Sequence, residues 1–192
     1  MADLTVDCIT SLDGFGAAEG WPGLWGMHSA DYLDWVGQEG AQDHVLLMGA
    51  TTYRLFTGFI ESGEEDMSGL SGTSKLVFSR TLREPLAWEG STLVRADAVV
   101  HVRSLKDASE VPLRTIGSLS LCRALLAAGL VDRYRVVVFP VVTGATGRDR
   151  VYDGWPDVRL ELVASRAFDG GMQLLQYVPT VLDGPPASEP SR

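Results

Sequence analysis

The chain has 192 residues, 45% apolar and 21% charged, which suits one soluble domain with a substantial core. Its net charge of −9 with only 16 Lys and Arg argues against a nucleic-acid or anionic-membrane partner. No apolar run approaches the ~18 residues of a membrane helix, and no basic stretch precedes an apolar core at the N-terminus, so a cytoplasmic protein is expected.

In chain order, residues 4–9 read as a strand, followed by the glycine-rich stretch ITSLDGFGAAEGWPGLWG. Gly14-x-Gly16 after a strand looks like a dinucleotide fingerprint, but such a loop should open a helix at once, and this one does not. Residues 29–37 read as a helix, with Ser29 as N-cap, Asp31 in the first turn and Gly37 at the end. Residues 45–48 form an apolar strand broken by Gly49, and TTYRLFTGF follows as a helix. Residues 61–72, acidic at Glu61, Glu64, Glu65 and Asp66, read as a polar loop or a short helix. Strands are predicted at 75–78 and 91–95, a helix at 99–107 and a strand at 113–116. Gly117 and Ser118 then open the helical run LSLCRALLAAG. Residues 134–142 read as a long β-branched strand. Residues 158–168 and 172–178 alternate around Asp169-Gly170-Gly171 and predict a hairpin. The tail from Leu182, rich in Pro and Ser, is expected to fray, leaving one domain over 1–181.

Early strands joined by helices imply parallel pairing with helices on both faces, and the late hairpin implies an antiparallel edge. HVLLM and RVVVF lack alternation, which fits burial on both faces. The fold class is therefore α/β with a mixed, mainly parallel sheet.

Three strand ends share a chemistry suited to phosphate. Met48-Gly49-Ala50-Thr51-Thr52 and Ile116-Gly117-Ser118-Leu119 each place a glycine before a helix whose first amides have no intrahelical partner. Phe78-Ser79-Arg80-Thr81 sets a hydroxyl beside a guanidinium, a pair suited to a phosphate monoester. Each alone is common turn chemistry; together they describe a diphosphate and a further phosphate at the carboxyl ends of the strands. His28, His44 and His101 have no metal spacing, and the lone Cys8 and Cys122 read as reduced core thiols, so no metal is expected.

The series TSLDGFGA, MGATTY, LVFSRT and IGSLSLCRALLAAGLVDRYRVVVFPVVTGATGR resembles the dihydrofolate-reductase-like superfamily. It is most similar there to the reductase domain of the riboflavin-pathway deaminase-reductases and their stand-alone relatives. The resemblance runs from residue 4 to residue 178. It implies a three-layer sandwich with a C-terminal antiparallel hairpin, an NADPH cofactor and a homodimer. By position it implies a phosphate turn at Gly49, Ala50, Thr51 and Thr52 and an adenosine 2′-phosphate site at Ser79 and Arg80. It also implies a diphosphate turn at Gly117, Ser118 and Leu119, with nicotinamide contacts from the backbone of Ile9 and Thr10. Many relatives carry arginine where this chain has Ala50, so one phosphate-facing cation is missing. WPGLWGMHSADYLDW offers no match for the basic groups a ribose-phosphate substrate needs, which argues against the riboflavin step itself.

The expected activity is hydride transfer from NADPH to a small heterocycle, pterin- or pyrimidine-like. The alternative is a non-catalytic nucleotide- or ligand-binding protein on the same fold, with a flavin- or folate-binding variant between them. Asp13 is a candidate catalytic carboxylate beside the nicotinamide, or a turn residue bonding its own loop. Asp31 is a candidate acid in the first turn of its helix, or a carboxylate that stabilises the helix N-terminus. Trp21 and Trp25 would wall a flat ring substrate or pack against the helix that follows.

Overall fold

The computed structural model describes residues 1–21, 23, 25–63 and 68–185. Glu64, Glu65, Asp66 and the last seven residues of the tail lie outside these. Parallel strands β1 (Leu4–Ser11), β3 (Val45–Gly49), β4 (Ser74–Phe78), β5 (Ser91–Val94), β6 (Leu113–Thr115) and β7 (Arg133–Phe139) are continued by antiparallel β10 (Gln173–Val181) and β9 (Val158–Ala167). The order across the sheet is β5-β4-β3-β6-β1-β7-β10-β9. The mixed sheet and C-terminal hairpin expected from the sequence are both present.

Successive strand residues serve opposite faces. Leu4, Val6, Cys8, Leu47 and Val136 join Val102 of α3 (Ala98–Ala108) and Leu121, Cys122 and Leu125 of α4 (Leu119–Ala127) in one core. Val137 and Phe139 meet Tyr32 of α1 (Ala30–Gly40) on the other face, where Leu46, Met48 and Val77 meet Tyr53 and Phe56 of α2 (Ala50–Ser62). Two helices per face give three layers. The central strands are buried on both sides, and that explains their unbroken apolar runs.

Several boundaries differ from the sequence reading. Helix α1 continues past Gly37 to Gly40. It is anchored there by Glu39, whose carboxylate accepts from Arg135 Nη1 at 2.5 Å while its carbonyl accepts from Arg114 Nη1 at 2.8 Å. The same two arginines hold Asp7 of β1, so α1 is bonded across the sheet as well as packed on it. Ser29 occupies the N-cap position but its side chain caps nothing; its hydroxyl donates to Asp31 instead. Strand β7 ends at Phe139, because Pro140 has no N–H to continue the ladder. Strand β10 runs to Val181 through Pro179, which is tolerated because its pairing with β7 stops at Tyr177.

An unexpected antiparallel pair leaves the end of β1: β2 (Phe15–Ala18) with β8 (Gly147–Arg150). Phe15 is the reason it closes. A Cβ on Gly147 would come within 2.6 Å of its ring, and the Arg150 guanidinium lies 4.5 Å from the centroid of the same ring. Among the described residues no helix is long and apolar enough to cross a membrane.

Candidate functional site

The carboxyl ends of the parallel strands bring the three sequence-predicted turns to one edge of the sheet. Strands β3 and β6 are neighbours, so the turns leading into α2 and α4 meet. The Ser118 hydroxyl accepts the Gly49 N–H at 2.8 Å and donates to Thr52 Oγ1 at 2.8 Å. Gly117 is required twice over: its φ is +55°, and a Cβ there would lie 3.0 Å from Thr52 Oγ1. Ser118 itself is left-handed at φ 63°. Neither α2 nor α4 has a side-chain cap or an acidic residue in its first turn, whereas α3 is capped by Asp97 through Val100 N. Two adjacent helix N-termini are thus left electropositive, on a backbone locked in place. Thr52 is buried and tied to the Gly117 turn, while Ala50, Thr51 and Leu119 stand at the openings of the two helices.

Beside them, on β4 and β5, a recess of about 220 Å³ is lined by Phe78, Ser79, Arg80, Val94, Arg95, Ala96, Asp97 and Ala98. Ser79 Oγ accepts the N–H groups of Thr81 and Leu82 at 3.1 and 3.0 Å and lies 3.4 Å from the Thr81 hydroxyl. Arg80 is exposed and has no carboxylate in salt-bridge range among the described residues. The sequence reading missed Arg95, which joins this recess and braces it by donating to Leu82 O at 3.0 Å. An arginine just past a strand end reads as a surface residue until β5 is known to pair with β4.

At the other end of the edge, Ile9 and Thr10 close β1 alongside Val137 and Val138 of β7. Thr10 is buried, and its hydroxyl donates to Ser11 O and Phe15 O. Asp13 accepts from Ser11 Oγ at 2.6 Å, from Gly144 N at 2.9 Å and from Thr143 N at 3.2 Å. It therefore latches the loop after β1 to the loop after β7. The Ser11 hydroxyl, then the Gly144 amide, draw its pKa down to about 2. Asp31 accepts from Ser29 Oγ at 2.5 Å and from the Asp169 N–H at 3.2 Å, tying α1 to the β9–β10 turn. The Ser29 hydroxyl holds its pKa below the ordinary carboxylate value. Both candidate catalytic carboxylates thus hold loop backbone as hydrogen-bond acceptors.

The two loop tryptophans part company. Trp21 is 47% exposed. Trp25 packs on Phe139 with centroids 5.1 Å apart, in the cluster of Tyr32, Phe168, Met172 and Ile9. A Cβ on Gly23 would sit 2.9 Å from Ile9 Cδ1, so this segment lies directly on the end of β1. Among the described residues no group of three His, Cys, Asp or Glu side chains is placed to hold a metal ion.

The family model for the RibD C-terminal domain matches residues 2–174. The uncharacterized protein YyaP of Bacillus subtilis is 24% identical over 182 residues, which cover 91% of this chain and 93% of that one. The crystal structure of a putative riboflavin biosynthesis protein from Shewanella superposes with a TM-score of 0.73 at 21% identity, over 94% of this chain and 99% of that one. Dihydrofolate reductase from Enterococcus faecalis, solved with NADP(H), superposes at 0.60 with 14% identity, over 92% and 96%. The fold is that of the dihydrofolate-reductase-like proteins, as the resemblance implied.

Proposed function

Because this chain belongs to the RibD C-terminal domain family, we propose that it is an NADPH-dependent reductase acting on a small planar heterocycle of pterin or pyrimidine type. The observation that carries the reading is the pair of interlocked turns. Gly49, Thr52, Gly117 and Ser118 fix two uncapped helix N-termini side by side, next to a recess with two arginines. The Gly117 turn packs tightly on Thr52, which holds the free amides opening α2 and α4 side by side, a donor set that suits the oxygens of a diphosphate.

In this reading the amides opening α2 and α4 bind the diphosphate. Ser79, Arg80 and Arg95 bind the 2′-phosphate, and Arg80 and Arg95 supply the cationic charge that Ala50 does not. The main chain at Ile9 and Thr10 orients the nicotinamide, and bound NADPH supplies the hydride. Asp13 holds the two loops that frame the reacting ring, and Asp31 holds α1, whose Tyr32 builds the aromatic wall behind it. Loss of the nicotinamide absorbance on adding pterins or pyrimidinediones to protein and NADPH tests the activity; saturable NADPH binding without turnover across both classes contradicts it.

One observation favours the second reading, a ligand-binding protein on a reductase fold. Both carboxylates that could have supplied a proton are committed as acceptors. The same assay separates the two, since the binding protein would take up NADPH and leave it unoxidised.

The proposed homodimer has a candidate surface on β9 and β10. There Leu160, Leu162 and Val181 share one sheet face, and Leu162 is 54% exposed. Sedimentation equilibrium is expected to give a dimer that Leu162→Arg converts to a monomer; a monomeric wild type contradicts it.

A further inference from the structure

The thiol of Cys122 lies directly beneath the Gly117 turn. Cys122 is fully buried on the face of α4 that packs on β1, and its Sγ donates to the Gly117 carbonyl at 3.1 Å. Gly117 itself is exposed. Its carbonyl is therefore turned inward, away from the solvent side of the turn. In a trans peptide the C=O and the N–H that follows it point in opposite directions. A Gly117 carbonyl held inward by Cys122 thus turns the Ser118 N–H outward, to the side where α4 opens.

The turn needs such a hold. Gly117 and Ser118 are both left-handed, at φ 55° and 63°. A serine in that region costs energy and persists only where its surroundings enforce it. On one side the Ser118 hydroxyl ties the turn to Gly49 and Thr52. On the other the Cys122 thiol ties it to the core. Left-handed Ser118 followed by helical Leu119 sets successive N–H groups around a concavity, a backbone form that receives anions. The thiol has support of its own. It lies 3.5 Å from Thr115 Oγ1, which accepts the Asp7 N–H at 3.1 Å. A hydrogen bond from Cys8 draws the Cys122 pKa down, against the burial that pushes it up. A more acidic thiol is a stronger donor.

Resting on the reading that this cradle holds the cofactor's diphosphate, we propose that Cys122 is a positioning residue for NADPH. By holding the Gly117 carbonyl inward, its thiol aims the Ser118 N–H at a diphosphate oxygen. The same bond polarises the peptide, because a carbonyl that accepts a hydrogen bond makes the N–H of its own peptide a stronger donor. Cys122 touches no cofactor atom and acts through this one peptide unit. Packing alone would be served by alanine or valine at this position. A thiol adds a donor where the turn presents an inward carbonyl.

The Ser118 amide signal in ¹⁵N–¹H spectra reads this directly, with NADPH and, separately, inorganic pyrophosphate as probes. In wild type the signal should shift with both. Cys122→Ala should move it upfield in the free protein and weaken NADPH about fivefold, a coupling usual within one hydrogen-bond network. Cys122→Ser keeps a donor and should restore most of that affinity. Leu125→Val trims the same helix in the same core without touching a polar atom. It should lower the melting temperature and leave NADPH affinity unchanged. If Cys122→Ala does not fold, Cys122→Val takes its place. Cys122 loses this role if the Ser118 signal stays still under both probes, if the variant without a donor binds NADPH as tightly as wild type, if Cys122→Ser is as weak as that variant, or if Leu125→Val weakens NADPH as much. NADPH that saturates without turnover fails the reductase reading alone and leaves the Cys122 comparison standing.

Discussion

The two ends of the carboxyl edge are built on opposite terms. At the β3–β6 end the side chains interlock around the free helix amides: Gly49 N–H meets Ser118, Ser118 meets Thr52, and Thr52 fills the space that a Gly117 side chain would need. At the β1–β7 end the frame is held by carboxylates instead, with Asp13 and Asp31 each holding loop backbone, and Trp25 Nε1 and Thr143 Oγ1 have no hydrogen-bond partner among the described residues. Under the proposed function the first end is the preformed cradle for the cofactor's diphosphate. Under the same reading the second is the braced frame around the reacting ring.

Gly117→Ala is the strongest way to break that contrast. It forces a left-handed alanine and drives a methyl into Thr52, which together cost about 2–3 kcal/mol of stability. The melting temperature should fall by several degrees and NADPH binding should be lost. An unchanged melting temperature with normal NADPH affinity would remove the cradle from the account. Arg80→Ala comes next. Losing one charge-assisted contact should weaken NADPH about tenfold and leave NADH untouched. Equal losses for both cofactors would place the 2′-phosphate elsewhere.

The smallest effect belongs to Asp13. Its folded pKa of about 2 lies below the ordinary 3.8. The latch therefore contributes fully above pH 3.8 and is lost as the pH falls through about 2, when the carboxylate takes up a proton. The amide signals of Thr143 and Gly144 should move together in that window in wild type and stay flat in Asp13→Asn. A transition near 3.8 would mean that the latch is not made in solution.

Much of this edge was legible in the sequence, for reasons that differ by residue. The central strands announced themselves because burial on both faces demands unbroken apolar runs. Gly49 and Gly117 were readable as turn glycines before helices, a local necessity. The link from Ser118 to Thr52 was not readable, since it joins residues 66 positions apart. Nor were β2 and β8, where FGAA and GRDR show neither alternation nor apolar run and close through Phe15 on Gly147. Asp13 and Asp31 were found as residues, but their partners Thr143, Gly144 and Asp169 come from loops more than a hundred positions away. Those partners give each carboxylate a loop to hold, which no local pattern announces.

The central claim is that the interlocked turns and the two-arginine recess together hold NADPH. Calorimetric titration of the wild-type protein with NADPH and NADH in parallel tests it most directly. The account predicts one saturable NADPH site per chain, with NADH at least tenfold weaker because it lacks the phosphate for Arg80 and Arg95. Equal affinity for the two would contradict the recess, and no saturation with either at millimolar concentration would contradict the claim as a whole.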